Sequence, residues 1–382
     1  MEKRKKKKEI KVALVHDHLA QDGGAEKVLK ILTEIFPQAP IYTLLYEKDN
    51  ADKYYKDKHI ETSIIQKLPW GVKHYQWYMP FMPMAVEFFD LSSYDLVISD
   101  TSSFAKGVIT GPETNHICYC HTPTRYLWSD THSYINELKY NKFFKKIISL
   151  ILNYVRIWDR LAADRVDNYI ANSYNIKKRI KKYYKHDSKV IYPPVEVEKF
   201  FPSQSKEQKK EDPYFLIGSR LAPYKRIDIV IEAFKKLDKK LKIFGDGVDK
   251  KRLKKIAKGD PNIEFLGRID DEKLRKLYQN CQAFIHPQVE DFGITPVEAM
   301  ASGRPVIAFR GGGVTETVKE GKTGMFFEKQ TPEAIRETVE KFQTYEFDPD
   351  FISQEAQKFS TKRFKKEMME FIYEKTGYSF YD

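Results

Sequence analysis

Ala283-Phe284-Ile285-His286-Pro287-Gln288-Val289-Glu290-Asp291-Phe292-Gly293-Ile294-Thr295-Pro296-Val297-Glu298-Ala299-Met300-Ala301-Ser302-Gly303 reads as a short strand, a glycine turn and a helix. Glu290 leaves the strand at its C-terminal end, where open α/β sheets bind their ligands. Thr295 reads as the N-cap, Pro296 as the first helical residue and Glu298 as the residue three after the cap, so the first-turn amides are expected to point back toward Glu290. Carboxylates accept hydrogen bonds from sugar hydroxyls and helix amides favour an anion, so the pair suits a polyhydroxylated, phosphorylated ligand. Taken alone, Glu298 reads equally well as a plain capping box. Glu290, placed at a strand end, tips the balance toward binding.

Working outward, short apolar runs alternate with helical patterns along the chain, the pattern of parallel sheets wrapped by helices. One series of strand candidates comprises 11–16, 41–45, 96–99, 116–120, 169–171 and 190–192; a second comprises 215–218, 241–244, 263–266, 283–286 and 306–309. Pro193-Pro194 stops the first series, and the stretch 203–213 is polar and aperiodic, as a linker is. The expected division is a first domain over 1–195 with a basic tail at 1–10, a linker over 196–212, a second domain over 213–360 and a C-terminal helix in 361–382. A length of 382 residues fits two such cores.

Other strand ends carry candidate chemistry. The strand 215–218 runs into Ser219-Arg220-Leu221-Ala222-Pro223-Tyr224-Lys225, so Arg220 and Lys225 leave one tip. A guanidinium fork and an ammonium suit a diphosphate that gains charge as a bond to it breaks, although an isolated cation pair is ordinarily just solvated. Gly23 and Gly24 follow the strand 11–16 and let backbone approach a phosphate at a helix start. No Gly-x-Gly-x-x-Gly is present, which argues against a dinucleotide oxidoreductase, and Gly321-Lys322-Thr323 lacks the first glycine of a phosphate loop because Glu316 stands there. His121 follows the strand 116–120, and Pro123 halts regular continuation, which exposes the imidazole at the sheet's tip.

The glutamate spacing, with Gly303-Arg304-Pro305-Val306-Ile307-Ala308 and Gly311-Gly312-Gly313-Val314-Thr315-Glu316 after it, resembles that of retaining glycosyltransferases of family 4. The segment Cys120-His121-Thr122-Pro123-Thr124-Arg125-Tyr126-Leu127-Trp128 is similar to that of family 4 mannosyltransferases of O-antigen and polysaccharide assembly. The resemblance implies a GT-B architecture, an α/β fold of two Rossmann-like, doubly wound parallel-sheet domains facing a central cleft. It implies that Arg220 and Lys225 hold the diphosphate, Glu290 contacts the donor sugar, Glu298 binds the ribose and His121 bonds a sugar hydroxyl. Backbone at Phe292, Gly293, Ile294 and Thr295 would hold sugar and phosphate, Gly267 and Arg268 would lie near the base, and Gly23 and Gly24 would close over the β-phosphate. The implied helix within 361–382 crosses back to the first domain. No metal and no cofactor are implied; the nucleotide sugar, most readily GDP-mannose, is a substrate, and a UDP- or dTDP-sugar is the alternative donor. The implied acceptor is a lipid-linked saccharide or polysaccharide.

Formal charge is +12, of which 1–11 supplies +5 (seven Lys and Arg less Glu2 and Glu9), leaving +7 for the body. The tail stands without interleaved aromatics, so no nucleic-acid partner is expected; it reads either as a contact with anionic lipid at the inner face of the cytoplasmic membrane or as a solvated end. Between 140 and 158, Phe144, Ile147, Ile148, Ile151, Val155 and Trp158 recur at helical spacing among cations, which reads either as a second peripheral membrane contact or as an ordinary docked helix. No apolar stretch reaches spanning length, and no apolar region of signal-peptide type follows the tail. Cys118, Cys120 and Cys281 are too few for a disulfide framework, and His116, Cys118 and Cys120 fit core packing better than zinc ligation. A sugar-nucleotide epimerase and a basic nucleic-acid binder are the competing classes.

Overall fold

A computed structural model describes residues 10–20, 23–138, 140–203 and 213–380; the tail lysines and most of the expected linker lie outside them. The chain divides into two compact units, Met1–Tyr192 with Lys365–Asp382, and Pro193–Phe364.

The first unit holds β1 (Val12–Leu19), β2 (Ile41–Tyr46), β3 (Ile60–Thr62), β4 (Leu96–Thr101), β5 (Asn115–Cys120), β6 (Asn168–Ala171) and β7 (Ser188–Val190). They pair in parallel in the order β3-β2-β1-β4-β5-β6-β7. The second unit holds β8 (Tyr214–Gly218), β9 (Lys240–Phe244), β10 (Ile263–Gly267), β11 (Phe284–His286), β12 (Val306–Phe309) and β13 (Gly324–Phe327), in the order β10-β9-β8-β11-β12-β13. Central strands are covered on both faces, so they read as continuous apolar runs: Val12 to Val15 and Phe215 to Ile217 are all buried.

In each sheet the chain winds outward one way from its first strand and then crosses to the other side. The strand order therefore reverses between β1 and β4, and between β8 and β11. Such switch points open a crevice at the strands' C-terminal ends.

The stretch after Pro193 is not a free linker. Val195 donates its backbone N–H to Phe359 at 2.9 Å, Val197 is buried, and Gln279 donates to the Phe201 carbonyl at 2.7 Å, so 193–203 packs as part of the second unit. The helix Thr361–Thr376 carries the chain from one unit to the other, its residues from Lys365 onward belonging to the first. There Lys365 pairs with Glu34 at 2.8 Å, and Phe380 packs edge-on against Phe36.

The helix expected near 140–158 spans Lys142–Ala163, capped by the Asn141 side chain, which accepts from Phe144 N–H at 3.0 Å. The stripe read from its sequence is largely the packed one. Val155 is buried, and Ile148, Ile151 and Trp158 pack on the cluster of Val86, Phe104, Ala105 and Leu152, whereas Phe144 and Ile147 are exposed. Among the described residues no helix is long and apolar enough to cross a membrane.

Candidate active site

In the second unit β8 and β11 are paired neighbours at the switch point, with Leu216 opposite Phe284. β8 ends in Ser219-Arg220 and a 3-10 turn, Pro223–Lys225; β11 ends in His286 and delivers Glu290 four residues on. Lys225 Nζ is thereby brought onto Glu290 Oε1 in a short, charge-assisted hydrogen bond, with side-chain exposures of 12% and 20%. Gln288 Nε2 donates to the same oxygen at 3.2 Å. Burial alone would raise the Glu290 carboxyl, but the charges near it, with His286 contributing only where it is protonated and Lys225 throughout, and the hydrogen bonds from Lys225 and Gln288 outweigh it and hold Glu290 below its ordinary value. His286 is itself pushed down to about 4 by burial and so is neutral at pH 7. Lys225 is therefore the cation that keeps Glu290 charged.

Tyr224 links the two cations. Its hydroxyl accepts from Arg220 Nη2 at 3.1 Å, and its ring lies 5.2 Å from Lys225 Nζ. Arg220 is otherwise exposed. A guanidinium and an ammonium held off one strand tip, one of them already engaging a carboxylate, can receive a dianionic phosphate.

The backbone of Glu290 is pinned from behind. Gly313 N–H donates to Glu290 O at 2.8 Å, and a Cβ on Gly312, at φ +74°, would sit 2.2 Å from that oxygen. The helix that follows spans Ile294–Ala301, and its N-cap is Gly293 at φ 94°, not Thr295. Thr295 and Pro296 occupy its second and third positions, and Glu298 its fifth, so the capping-box reading is wrong. Proline is tolerated there because the first four N–H groups of a helix have no intrahelical acceptor. Glu298 is instead buried, and Tyr278 Oη donates to its Oε2 at 3.3 Å. Phe292 faces inward against Phe359, so only its backbone is available to a ligand. Gly267, at φ +72°, ends β10, and the exposed Arg268 follows it at the same edge of the sheet.

In the first unit the register sets His16 of β1 directly beside Asp100 of β4, and β5 delivers His121 next to them. Asp100, fully buried, accepts from both imidazoles: His16 Nδ1 at 2.9 Å and His121 Nε2 at 2.6 Å. Burial would lower His16, yet the hydrogen bond and charge of Asp100, with Glu26 and Asp17, raise it to about 9. Burial would raise Asp100, but His121 and His16 together hold it down. The unit thus keeps a carboxylate beneath His121 that fixes Nε2 as the protonated nitrogen.

Beside it, Asp17 accepts from Thr101 Oγ1 at 2.9 Å and from the N–H groups of Ser102, Phe104 and Ala105 at 2.7 to 2.8 Å, tying the loop after β4 to β1. Gly23 is the N-cap of the helix Gly24–Ile35, and its N–H donates to Glu26 Oε2 at 3.0 Å. Cys118 and Cys120 are buried and His116 Nε2 bonds Ser99 Oγ at 2.8 Å. No group of three or more His, Cys, Asp or Glu placed to hold a metal occurs among the described residues.

Within the second unit the fold brings together Lys225 and Glu290, with Arg220 one tyrosine away and Glu298 on the helix beyond the glycine. Within the first it sets His121 on Asp100. Sequence reasoning passed over His16, Asp17, Asp100, Tyr224, Tyr278, His286 and Gln288. Their signal was available in part, since Asp100-Thr101 are polar residues closing β4 at its C-terminal end and His16-Asp17 break the apolar run of β1.

Two family models together match residues 22–359: Glycosyltransferase Family 4 over residues 22–199 and Glycosyl transferases group 1 over 198–359. Among curated relatives, an alpha-1,3/1,6-mannosyltransferase of Dictyostelium discoideum is 27% identical over 282 residues, 62% of this chain and 64% of its own. A GDP-mannose-dependent alpha-mannosyltransferase of Mycolicibacterium smegmatis is 32% identical over 163 residues, 40% of this chain and 43% of its own. The chain thus spans less than two thirds of either relative. Among solved structures, Anabaena HepE in complex with UDP superposes with a TM-score of 0.67 at 18% identity, covering 96% of this chain and all of that one, which shows a shared fold. With both models laid over its two doubly wound parallel sheets, the chain belongs to the family 4 glycosyltransferases and has the GT-B fold.

Proposed function

We propose that the protein is a retaining hexosyltransferase that moves mannose from GDP-mannose to a lipid-linked or polysaccharide acceptor. The observation that carries this reading is the Lys225–Glu290 pair at the β8/β11 switch point, with Arg220 beside it through Tyr224. The donor's diphosphate would take Arg220 and Lys225, which releases Glu290 from the ion pair to accept hydrogen bonds from the hexose. Glu298, buried on the adjoining helix, would accept from the ribose hydroxyls. The amides at the start of the helix Ile294–Ala301 would hold sugar and phosphate, and Gly267-Arg268 would lie by the base. Gly23 and Gly24 would approach the β-phosphate, and His121, oriented by Asp100, would bond a sugar hydroxyl.

In the reaction the C1–O bond to the diphosphate breaks and its electron pair passes to the β-phosphate. The acceptor oxygen attacks from the same face, and a departing phosphate oxygen takes its proton, so the anomeric configuration is kept without a carboxylate nucleophile. Arg220 and Lys225 act by stabilising the charge that gathers on the leaving group. No metal or other cofactor enters this scheme. The choice of mannose rests on the names of the relatives; a UDP- or dTDP-sugar needs only different base and hydroxyl contacts. A lipid-borne acceptor places the enzyme at the inner face of the cytoplasmic membrane as a peripheral protein.

The test is radiolabelled sugar transfer from GDP-mannose into membrane lipid extract, with the product's anomeric configuration read by NMR. Label appearing with an inverted linkage, or isomerised free sugar nucleotide in place of transfer, would contradict the proposal.

A further inference from the structure

The helix Lys142–Ala163 has two apolar faces. One packs inward through Leu152, Val155 and Ala162. The other consists of Phe143, Ile147, Leu150, Tyr154, Ile157 and Leu161, recurring every three or four residues, and all six are exposed, Leu150 at 71% and Phe143 at 68%. A helix on the surface of a water-soluble domain turns one stripe inward and polar residues outward. Here the outward stripe is as apolar as the inward one, and a contiguous patch of this kind marks a surface that is covered in use.

The charges around it say what covers it. The helix carries Lys142, Lys145, Lys146, Arg156 and Arg160. Its single acid, Asp159, is buried against Lys106 at 2.5 Å and bonded by Thr124 and Trp128. Every solvent-facing charge within the helix is therefore positive, with Arg160 paired at 2.7 Å to Asp164, the C-cap residue that follows it. Pairing this face with a second copy would bring like charges together, whereas an anionic surface complements them.

A neighbouring segment repeats the pattern independently. Trp158 of the helix donates its indole N–H to Glu87 at 2.8 Å, and Arg165 pairs with the same carboxylate at 2.7 Å, which seats the helix beside Met82–Glu87 and the 3-10 stretch Tyr75–Phe81. Both elements cover one hydrophobic cluster from outside. The segment from Ile64 to Phe88 exposes Ile64, Trp70, Trp77, Phe81, Met84 and Phe88, with Trp70 at 66% and Trp77 at 60%. Lys67 and Lys73 are its exposed charges, since Glu87 is engaged as described. Tryptophan with lysine, beside an amphipathic helix, is the composition of a surface that seats in the headgroup region of a bilayer.

We propose that the outward stripe of Lys142–Ala163, together with the Trp70 and Trp77 segment, is an insertion surface for an anionic lipid bilayer. It deepens the reading of a lipid-borne acceptor, but its test does not depend on sugar transfer. The full chain is sedimented with vesicles of phosphatidylglycerol and, separately, of phosphatidylcholine, and compared with the triple variant Phe143→Ser, Leu150→Ser, Leu161→Ser, which retains the basic tail. The wild type should bind phosphatidylglycerol and not phosphatidylcholine, and the variant's partition coefficient should fall at least about tenfold at an unchanged melting temperature. Brominated lipid should quench wild-type tryptophan fluorescence, and replacing Trp70 and Trp77 by Phe should remove that quenching. Equal partitioning of variant and wild type would overturn the proposal, because the tail would then account for binding. A wild-type dimer that the triple variant dissociates, with no vesicle binding by either, would overturn it too and give the face to a second copy. Vesicle binding without any nucleotide-sugar binding would support this surface while removing the transfer reading.

Discussion

Lys225 donates to Glu290 across the point where the second sheet reverses its strand order, joining the end of β8 to the end of β11. Those residues lie 65 positions apart, and on the proposed function a phosphate that claimed the lysine would free the glutamate for a hydroxylated sugar. Replacing Arg220 or Lys225 with Ala should cost on the order of 3 kcal/mol in the barrier, about a hundredfold in kcat/KM. Melting temperature should change little for Arg220→Ala, whose side chain is exposed. Steady-state kinetics with each variant checks this; near-normal turnover with unchanged donor affinity would remove both residues from the site.

In the first unit, Asp100→Asn should act through His121. Asn can present its NH2 rather than an acceptor to Nε2, so the ring loses its fixed tautomer, and kcat should fall more than KM rises. Stability carries its own signature. His16 has its pKa raised from 6.5 to about 9, so its contribution is present in full below 6.5 and is lost as pH rises through 9. The lowered Asp100 contributes above its ordinary range and loses that contribution as pH falls through its depressed value. The melting-temperature gap between wild type and Asp100→Asn should therefore be widest near pH 5 to 6.5 and narrow toward pH 9; a gap constant from pH 6 to 10 would contradict the network.

Glu298→Gln keeps the volume and the acceptor for Tyr278 while removing the charge. A charged hydrogen bond to a ribose hydroxyl is worth about 1.5 to 3 kcal/mol, so donor KM should rise roughly ten- to hundredfold with kcat nearly intact. Isothermal titration with free nucleoside diphosphate gives the direct reading, and unchanged affinity would show Glu298 to be a packing residue.

Gly293→Ala places a side chain at φ 94°, though the Cβ itself would meet nothing closer than 3.5 Å. The cost is therefore backbone strain of about 1 to 2 kcal/mol, with a shift of the amides that begin the helix. Thermal unfolding should show that loss together with weakened donor binding; a variant as stable as wild type would show that the turn is not strained.

Central strands were legible in the sequence because burial on both faces makes them apolar runs, as in Val12 to Val15. Two of the edge strands, β3 and β13, were not, although the edge strand β10 was read at 263–266. β3 carries Glu61 and Thr62, and β13 opens on Gly324, where a Cβ would sit 2.0 Å from the Val306 carbonyl. The Glu290–Glu298 segment was found, but the position of its helix was misjudged, because a left-handed glycine can cap as well as a threonine and Pro296 loses no bond at the third position. His16 and Asp100, 84 residues apart, meet only once β1 and β4 are known to be neighbours. The inward stripe of Lys142–Ala163 was visible from period alone; that the opposite stripe is bare depends on which face the sheet takes.

Binding of a nucleotide-sugar panel tests the central claim most directly. Thermal unfolding of the wild type with GDP, UDP, dTDP and ADP sugars should show one donor, GDP-mannose on this account, raising the midpoint by the equivalent of about 2.7 kcal/mol at a hundredfold excess over its Kd. Lys225→Ala should abolish that rise. If no nucleotide sugar or nucleoside diphosphate moves the midpoint at millimolar concentration, or if Lys225→Ala responds as the wild type does, the account is wrong.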